Sequence, residues 1–205
     1  MPMGALTLAL LFLALAQTYP PPYPRAGTTK IMENDRVVVW DVSWLKQAYP
    51  VHRHVYDYAG VYYTSGDRII VSEQGRRSPT TSVAWDTFVL PRGITHSEEG
   101  ASDEPLRGVF LEFKEPQPLG AVDARTSPAA FPETSGRQLR DSDRVTIWEL
   151  APAPGSSGPP HLHARDAVLV TFTELKPRVT FVKRGTVHND EQTSGADRVF
   201  AFEVK

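Results

Sequence analysis

The chain carries its landmarks twice, in the same order. Asn34-Asp-Arg36-Val-Val-Val-Trp40 returns as Ser142-Asp-Arg144-Val-Thr-Ile-Trp148 at an offset of 108, and His52-Arg-His54 returns as His161-Leu-His163 at 109. The closing runs, Arg107 to Lys114 and Arg198 to Lys205, both end in Glu-x-Lys. Such a chain is constrained to build one small fold twice. The copies differ in one length: 41 residues separate His54 from His96, but 24 separate His163 from His188. The second copy therefore lacks about 17 residues, roughly a hairpin, and Gly66-Asp67 is the kind of turn that could be missing.

The repeated segments are short, rich in β-branched and aromatic residues and separated by turn residues, which suits a small antiparallel barrel or sandwich. Helical periodicity is nearly absent; only Asp41 to Tyr49 reads as one turn of helix. Residues 34–114 form the first copy and 137–205 the second. Between them, 115–136 contains four prolines and reads as a crossing linker. Each copy is a thin core for an independent domain without disulfides, so the two are expected to pack face to face.

All six histidines of the chain fall into two matching sets. His52 and His54 precede Pro91-Arg-Gly93-Ile-Thr-His96; His161 and His163 precede Lys183-Arg-Gly185-Thr-Val-His188. Residues i and i+2 of a strand point to one side, so each pair presents two imidazoles to one face. Gly93 and Gly185 would allow the tight turn that aims the third histidine inward. Neutral imidazole suits one or two divalent transition-metal ions, with Fe, Mn, Zn, Ni and Cu all admissible. A set of three leaves coordination positions open, as catalysis needs. The alternative is a set of histidines that only hydrogen-bond within a polar barrel.

These residues resemble the two characteristic motifs of the cupin superfamily, and the chain resembles a duplicated cupin, a bicupin, over about residues 34 to 205. The first copy matches in His52-Arg-His54 through Gly60 and in Pro91 to His96. The second matches in His161-Leu-His163 and in Lys183 to Asn189. The resemblance implies an all-β protein of two double-stranded β-helix (jelly-roll) barrels in tandem, the second shortened, each with a metal inside. The implied ligands are His52, His54 and His96, and His161, His163 and His188. The family's motif glutamate has no counterpart: its place holds Tyr58 or Ala59, and Ala167 or Val168. The family also includes three-histidine iron enzymes that add oxygen to thiols or diketones, as well as isomerases, decarboxylases, storage proteins and sensors, so the fold alone does not assign a reaction.

Asp57 and Asp166 lie three residues past their histidine pairs, on the other side of an ideal strand. They would reach a metal only through a bulge, and otherwise read as solvated residues or turn partners. Glu98 and Asp190, two positions past His96 and His188, read as charged rim residues; the alternative is to orient a ligand or act as a base. Tyr56 and Tyr58 are expected to face inward with the first histidines, near Tyr62 and Tyr63. The second cavity, beside Ala167-Val-Leu-Val, should be more apolar. Arg36 and Arg144 read as structural charge partners.

Leu6 to Ala16 is an apolar run far too short to span a bilayer. Ala14-Leu15-Ala16 follows the small-residue rule for signal peptidase, although the only positive charge ahead of the run is the α-amine. Residues 1–16 thus read as a secretory signal peptide and the protein as secreted or periplasmic. The proline-rich stretch 17–33 reads as an extended lead-in, unsuited to the centre of a sheet. A net charge of -2 and the lack of a basic stripe argue against a nucleic-acid partner. The absence of cysteine excludes disulfides, thiolate metal sites and a cysteine nucleophile. No Gly-x-Ser-x-Gly elbow supports a serine hydrolase. The expected partner is a small molecule, and the barrel packing common in cupins leaves room for a homodimer. The function classes left open are a metal-dependent enzyme of oxygenase or isomerase type acting on a small organic acid or dicarbonyl, a non-catalytic binding module, and a purely structural barrel.

Overall fold

Val37-Val-Val-Trp40 and Val145-Thr-Ile-Trp148 are apolar at nearly every position, where a half-solvated strand would alternate. Such runs suit strands covered on both faces, and the computed structural model of the chain places both in that setting. It describes residues 18–116, 122, 128–131, 136–150, 159–189 and 195–205. The expected signal peptide, most of 115–136 and Asp190 lie outside the described residues.

Among the described residues the regular elements are all strands. In the first half, β1 (Thr28–Glu33), β2 (Val37–Trp44), β9 (Leu106–Phe113), β4 (Asp57–Tyr62) and β7 (Thr87–Leu90) form one sheet in that order. A second sheet has the order β3 (His52–Arg53), β8 (Thr95–Gly100), β5 (Gly66–Ser72) and β6 (Arg77–Ser82). The second half repeats the larger sheet as β10 (Arg137–Asp141), β11 (Val145–Leu150), β16 (Arg198–Val204), β13 (Asp166–Thr173) and β14 (Lys176–Val182). Its smaller sheet is reduced to β12 (His161–Leu162) and β15 (Val187–His188). The missing piece is the β5–β6 hairpin: strands of 7 and 6 residues joined by residues 73–76, which accounts for the length difference. Its turn is at Gly75, with φ +79°. Gly66-Asp67 opens β5 and is not the turn.

The turn of helix expected at Asp41 to Tyr49 does not form. β2 continues through Trp44, which pairs with Leu106 and is almost fully buried. Strand pairing and burial of this indole outweigh the weak local helical signal.

Alternate residues of β2, β4 and β9 serve two cores. Val38, Trp40, Val42, Trp44, Tyr58, Tyr62 and Phe110 point into the first barrel. Val37, Val39, Ala59, Val61, Val109 and Leu111 point the other way, into one apolar layer shared with Val145, Ile147, Val168, Val170, Phe200 and Phe202 of the second half. Tyr63 and Trp85 reach across this layer to Phe172, at ring distances of 5.3 and 5.2 Å. The second barrel has its own smaller cluster of Trp148, Ala167, Leu169, Val182 and Ala201.

Two ion pairs, related by the repeat, tie the halves together at the ends of the shared layer. Arg36 Nε lies 2.9 Å from Asp166 Oδ2, and Arg144 Nη1 lies 2.7 Å from Asp57 Oδ2. Each aspartate also accepts a backbone N–H from the glycine turn of its own barrel, Arg92 for Asp57 and Arg184 for Asp166, both at 2.9 Å. Asp57 and Asp166 are therefore turn partners and inter-barrel counter-ions, and their Oδ atoms are committed away from the histidines. Arg36 and Arg144 are the charge partners expected.

The repeat also extends upstream of Asn34. Pro20 O accepts the N–H of Arg53 at 2.9 Å, and Pro128 O accepts that of Leu162 at 2.8 Å. Tyr23 packs on Trp40 with ring centres 5.4 Å apart, as Phe131 packs on Trp148 at 5.2 Å. Pro20 with Tyr23, and Pro128 with Phe131, are offset by the same 108 positions. The proline-rich stretch and part of the connecting segment are thus equivalent pieces, each closing its own barrel, and the prolines end before β1, which forms a sheet edge.

Breaking one partner of a buried ion pair costs far more than replacing both. Asp166→Ala is expected to destabilise the protein by about 3–5 kcal/mol, and Arg36→Met combined with Asp166→Leu to recover most of that loss. Urea denaturation of the three proteins measures it; equal losses in the single and double variants would contradict an ion pair acting across the halves.

Candidate metal centres

Each histidine set is built by one short antiparallel pairing. β3 runs against β8 so that His52 faces His96. His54 lies just past β3, yet its N–H donates to Ile94 O at 2.9 Å and its carbonyl accepts from Gly93 N–H at 2.7 Å. The second half copies the arrangement: His161 faces His188, His163 N–H donates to Thr186 O at 3.0 Å, and Gly185 N–H donates to His163 O at 2.8 Å. Gly93 and Gly185 have φ of +91° and +80°, a region that glycine enters without a Cβ clash. The expected turns are present in both copies.

The six histidines converge as two sets of three, and the candidate ligand nitrogens of each set lie within 4.8 Å of one another. His54 Nε2 is 3.4 Å from His96 Nε2, and His163 Nε2 is 2.9 Å from His188 Nε2. Two imidazole nitrogens bound to one ion at about 2.0–2.1 Å stand roughly 2.9–3.4 Å apart at square to tetrahedral angles, so both spacings fit a shared cation. His52 supplies a second test. Its Nδ1 lies 3.1 Å from the Pro50 carbonyl, which places the proton on Nδ1 and leaves Nε2 a bare acceptor. Nε2 is buried without a hydrogen-bond partner. An unpaired buried acceptor costs about 1–3 kcal/mol, and a cation would remove that cost. Anchoring the far nitrogen on a carbonyl is also how proteins orient a metal-binding imidazole. Both clusters are capable of coordinating a divalent transition-metal ion.

Burial keeps His52, His54, His96 and His163 neutral, the form a metal needs. Desolvation, with the neighbouring histidines adding to it, lowers His54 to about 3, and the same causes lower His163 to about 3. Desolvation brings His96 down to about 4, against the attraction of Glu98. It lowers His52 as well, opposed by Glu98 and the Pro50 carbonyl.

No protein-family model matches the sequence, and no match was found among curated proteins. Solved structures do match the fold. AerE from Microcystis aeruginosa aligns over 92% of this chain and 99% of its own, at 13% identity and a TM-score of 0.56. A cupin domain from Bordetella pertussis Tohama I aligns over 48% of this chain and 99% of its own, at 23% identity and a TM-score of 0.41. A cupin 2 conserved barrel domain protein from Leptotrichia buccalis aligns over 86% of this chain and 81% of its own, at 15% identity and a TM-score of 0.43. The chain has the cupin fold, present twice. At these identities the likeness concerns the fold, and the chemistry rests on the residues.

The first cupin barrel encloses a cavity of about 180 Å³, bordered by His54, His96, Tyr58, Tyr62, Arg68, Glu98 and several aromatic rings. Tyr58 stacks flat on His54, with 4.0 Å between centres and 6° between planes, so it faces inward as expected. Tyr56 is half-buried in the bend before β4 and lies outside the cluster that fills this barrel. Tyr62 lines the cavity, whereas Tyr63 turns to the inter-barrel layer and donates to Asp41 at 2.6 Å.

Glu98 is the main correction at this site. It is not on the rim: only 5% of its surface is exposed. Its Oε1 accepts from Arg68 Nη1 at 3.1 Å, and its Oε2 accepts from Arg25 Nη2 at 3.0 Å and Trp44 Nε1 at 2.9 Å. Burial alone would raise its pKa, but Arg68 and Arg25 outweigh burial and hold it below the usual carboxylate value. Arg25 and Arg68 were not singled out from sequence. Arg25 hides in the proline-rich stretch, and Arg68 sits on the hairpin missing from the other copy; only the alternation Arg68-x-Ile70 hints that it points inward.

The apolar cluster of the second barrel is Trp148, Ala167, Leu169, Val182 and Ala201, with Phe131 packed against it, and Phe131 meets His163 edge-on at 5.6 Å. A wider groove of about 840 Å³ runs between the halves along Asp57, Pro91, Arg92 and Arg140 to Arg144, and none of the six histidines borders it.

The lowered histidines make a pH prediction for metal-free protein. An unfolded histidine titrates near 6.5, while His54, His96 and His163 stay neutral in the fold down to about 3 or 4. Between those values the unfolded chain binds more protons, so stability falls as pH drops from 6.5 toward 4. His163→Asn should flatten part of that slope, measured as urea midpoints at pH 7 and pH 5 with chelator present. An unchanged slope would show that His163 is not held neutral by the fold.

Proposed function

We propose that the protein is a metal-dependent cupin whose first barrel holds a divalent transition-metal ion through His52, His54 and His96 and receives a small organic ligand beside it. The observation that carries this reading is the pairing of ligand-spaced, neutral histidines with a barrel cavity that two of them border. His161, His163 and His188 form the equivalent site of the second barrel. A bound divalent ion would supply Lewis-acid polarisation of a ligand oxygen. Three neutral imidazoles leave the ion's charge undiminished, which favours an anionic or enolisable ligand. The reaction we propose is of the oxygenase or isomerase type, on a small organic acid or dicarbonyl. Within the cavity, the chain's own contribution is to exclude water with Tyr58, Phe88 and Phe110 and to fix the imidazoles against Pro50 and Tyr58.

One observation favours a second reading, a binding module without turnover. Glu98, the carboxylate beside the first site, is engaged by three donors and is not free to move a proton. The proposed location is outside the cytoplasm, supported by the apolar run Leu6 to Ala16 and the small residues Ala14 and Ala16 at its end. Among the described residues no helix is long and apolar enough to cross a membrane.

Elemental mass spectrometry of untagged protein tests the metal reading. One or two equivalents per chain of iron, manganese, copper, nickel or zinc are expected, with one equivalent lost in His52→Ala/His54→Ala. Absence of metal from both proteins after reconstitution would overturn it. Oxygen uptake or substrate turnover that depends on His52 and His96 would select the enzyme over the binding module.

A further inference from the structure

The first barrel holds a charge cluster that the metal reading does not use. Arg25 and Arg68 both converge on Glu98, and the exposed fractions of the three side chains are 7%, 12% and 7%. Two cations thus share one anion. Guanidinium does not deprotonate in proteins, so the excess positive charge cannot be relieved by titration. The guanidinium groups are partly satisfied by aromatic faces, Arg25 lying 3.7 Å from the Tyr49 ring centre and Arg68 4.8 Å from that of Trp44. Even so, Arg25 Nε and Nη1 and Arg68 Nε are buried without a hydrogen-bond partner. The other buried carboxylate of this barrel, Glu112, is bonded to Trp40 Nε1 at 2.8 Å and does not border the cavity. A buried charge without a counter-ion is costly, and Arg68 forms part of the cavity wall. Tyr62 Oη accepts from Arg68 Nη2 at 2.6 Å and also meets Ser82, which fixes Arg68 at the cavity wall.

We propose that the first barrel is an anion-binding site for a small, planar monocarboxylate, its carboxylate held at Arg68 and its body stacked among Tyr58, Phe88 and Phe110. A cavity of about 180 Å³ is below the roughly 300–1,000 Å³ of pockets for drug-sized ligands, which sets the size class. Arg68 lies on β5, and the second barrel has no β5–β6 equivalent, so the site exists once per chain. This deepens the proposed function by choosing an organic acid over a neutral dicarbonyl. It rests on that reading's placement of the ligand in this cavity, but not on the metal.

The test is a calorimetric titration of the metal-free full-length chain with benzoate and with its uncharged analogue benzamide. One benzoate per chain is expected, with benzamide weaker by roughly tenfold or more, the worth of a charge-assisted hydrogen bond. Arg68→Gln should weaken benzoate by a similar factor, whereas Glu98→Gln, which removes the counter-ion while keeping an acceptor for Trp44, should tighten it. A structural role alone would not move the two variants in opposite directions. Equal binding of benzoate and benzamide, no benzoate binding, two sites per chain, or weakened binding in Glu98→Gln would each overturn the proposal. Because the titration is done without metal, its failure beside a normal metal content would remove only the anion site. Benzoate binding by a protein that takes up no metal would remove only the metal reading.

Discussion

Covering both faces of the strands β2, β4 and β9, and of β11, β13 and β16, is the constraint on which the rest of the structure depends. One face of each set must curl around a histidine barrel, and the opposite face is as apolar as the first. Neither half could leave that second face in water without exposing a large patch. The shared layer solves both problems at once, and it explains how copies too small for an ample core of their own coexist in one chain. The reciprocal pairs of Arg36 with Asp166 and Arg144 with Asp57 fix the register of the two sheets at the layer's ends. Since both aspartates also hold the glycine turns, the packing of the halves is mechanically joined to the loops that aim His96 and His188.

From this common frame the copies have diverged at one place. Loss of the β5–β6 hairpin leaves the smaller sheet of the second barrel with two short strands, and removes the position that Arg68 holds in the first. The two histidine sets keep similar geometry in different surroundings: Arg68, Glu98, Tyr58 and Tyr62 border the cavity of the first, while Phe131, packed on Trp148, meets His163 of the second.

The parts legible in the sequence were those set by a few residue types at fixed spacing. The histidine pairs follow the two-residue period of a strand, and Gly93 and Gly185 mark a backbone conformation other residues avoid, so both triads could be assembled from spacing alone. The repeat gave the duplicated all-β fold and the missing hairpin. Long-range pairing was not legible. Glu98 meets Arg25 and Arg68 across 73 and 30 residues, so it read as a rim charge, and Asp57 meets Arg144 across 87, so the partner of each was hidden. The upstream extension of the repeat was hidden because Pro20 and Tyr23 share with Pro128 and Phe131 only a backbone bond and a ring contact, with little identity between the segments.

Glu98 bears on how the first site differs from a cupin site with a glutamate ligand. It lies two residues past His96, on the face the histidines share, yet the metal-ligand cluster contains only the three imidazoles. Its two oxygens are drawn to Arg25, Arg68 and Trp44, so neither is offered as a ligand, although its charge is felt at His52 and His96. A divalent cation held by the three histidines would thus keep its full charge at one side of the cavity, while the arginine pair leaves an excess positive charge at another. Under the proposed anion site, the ligand's carboxylate would lie at the Arg68 side of this space and the rest of it toward His54 and His96. Loss of a single hairpin removes the Arg68 position from the second barrel while leaving its histidines in place.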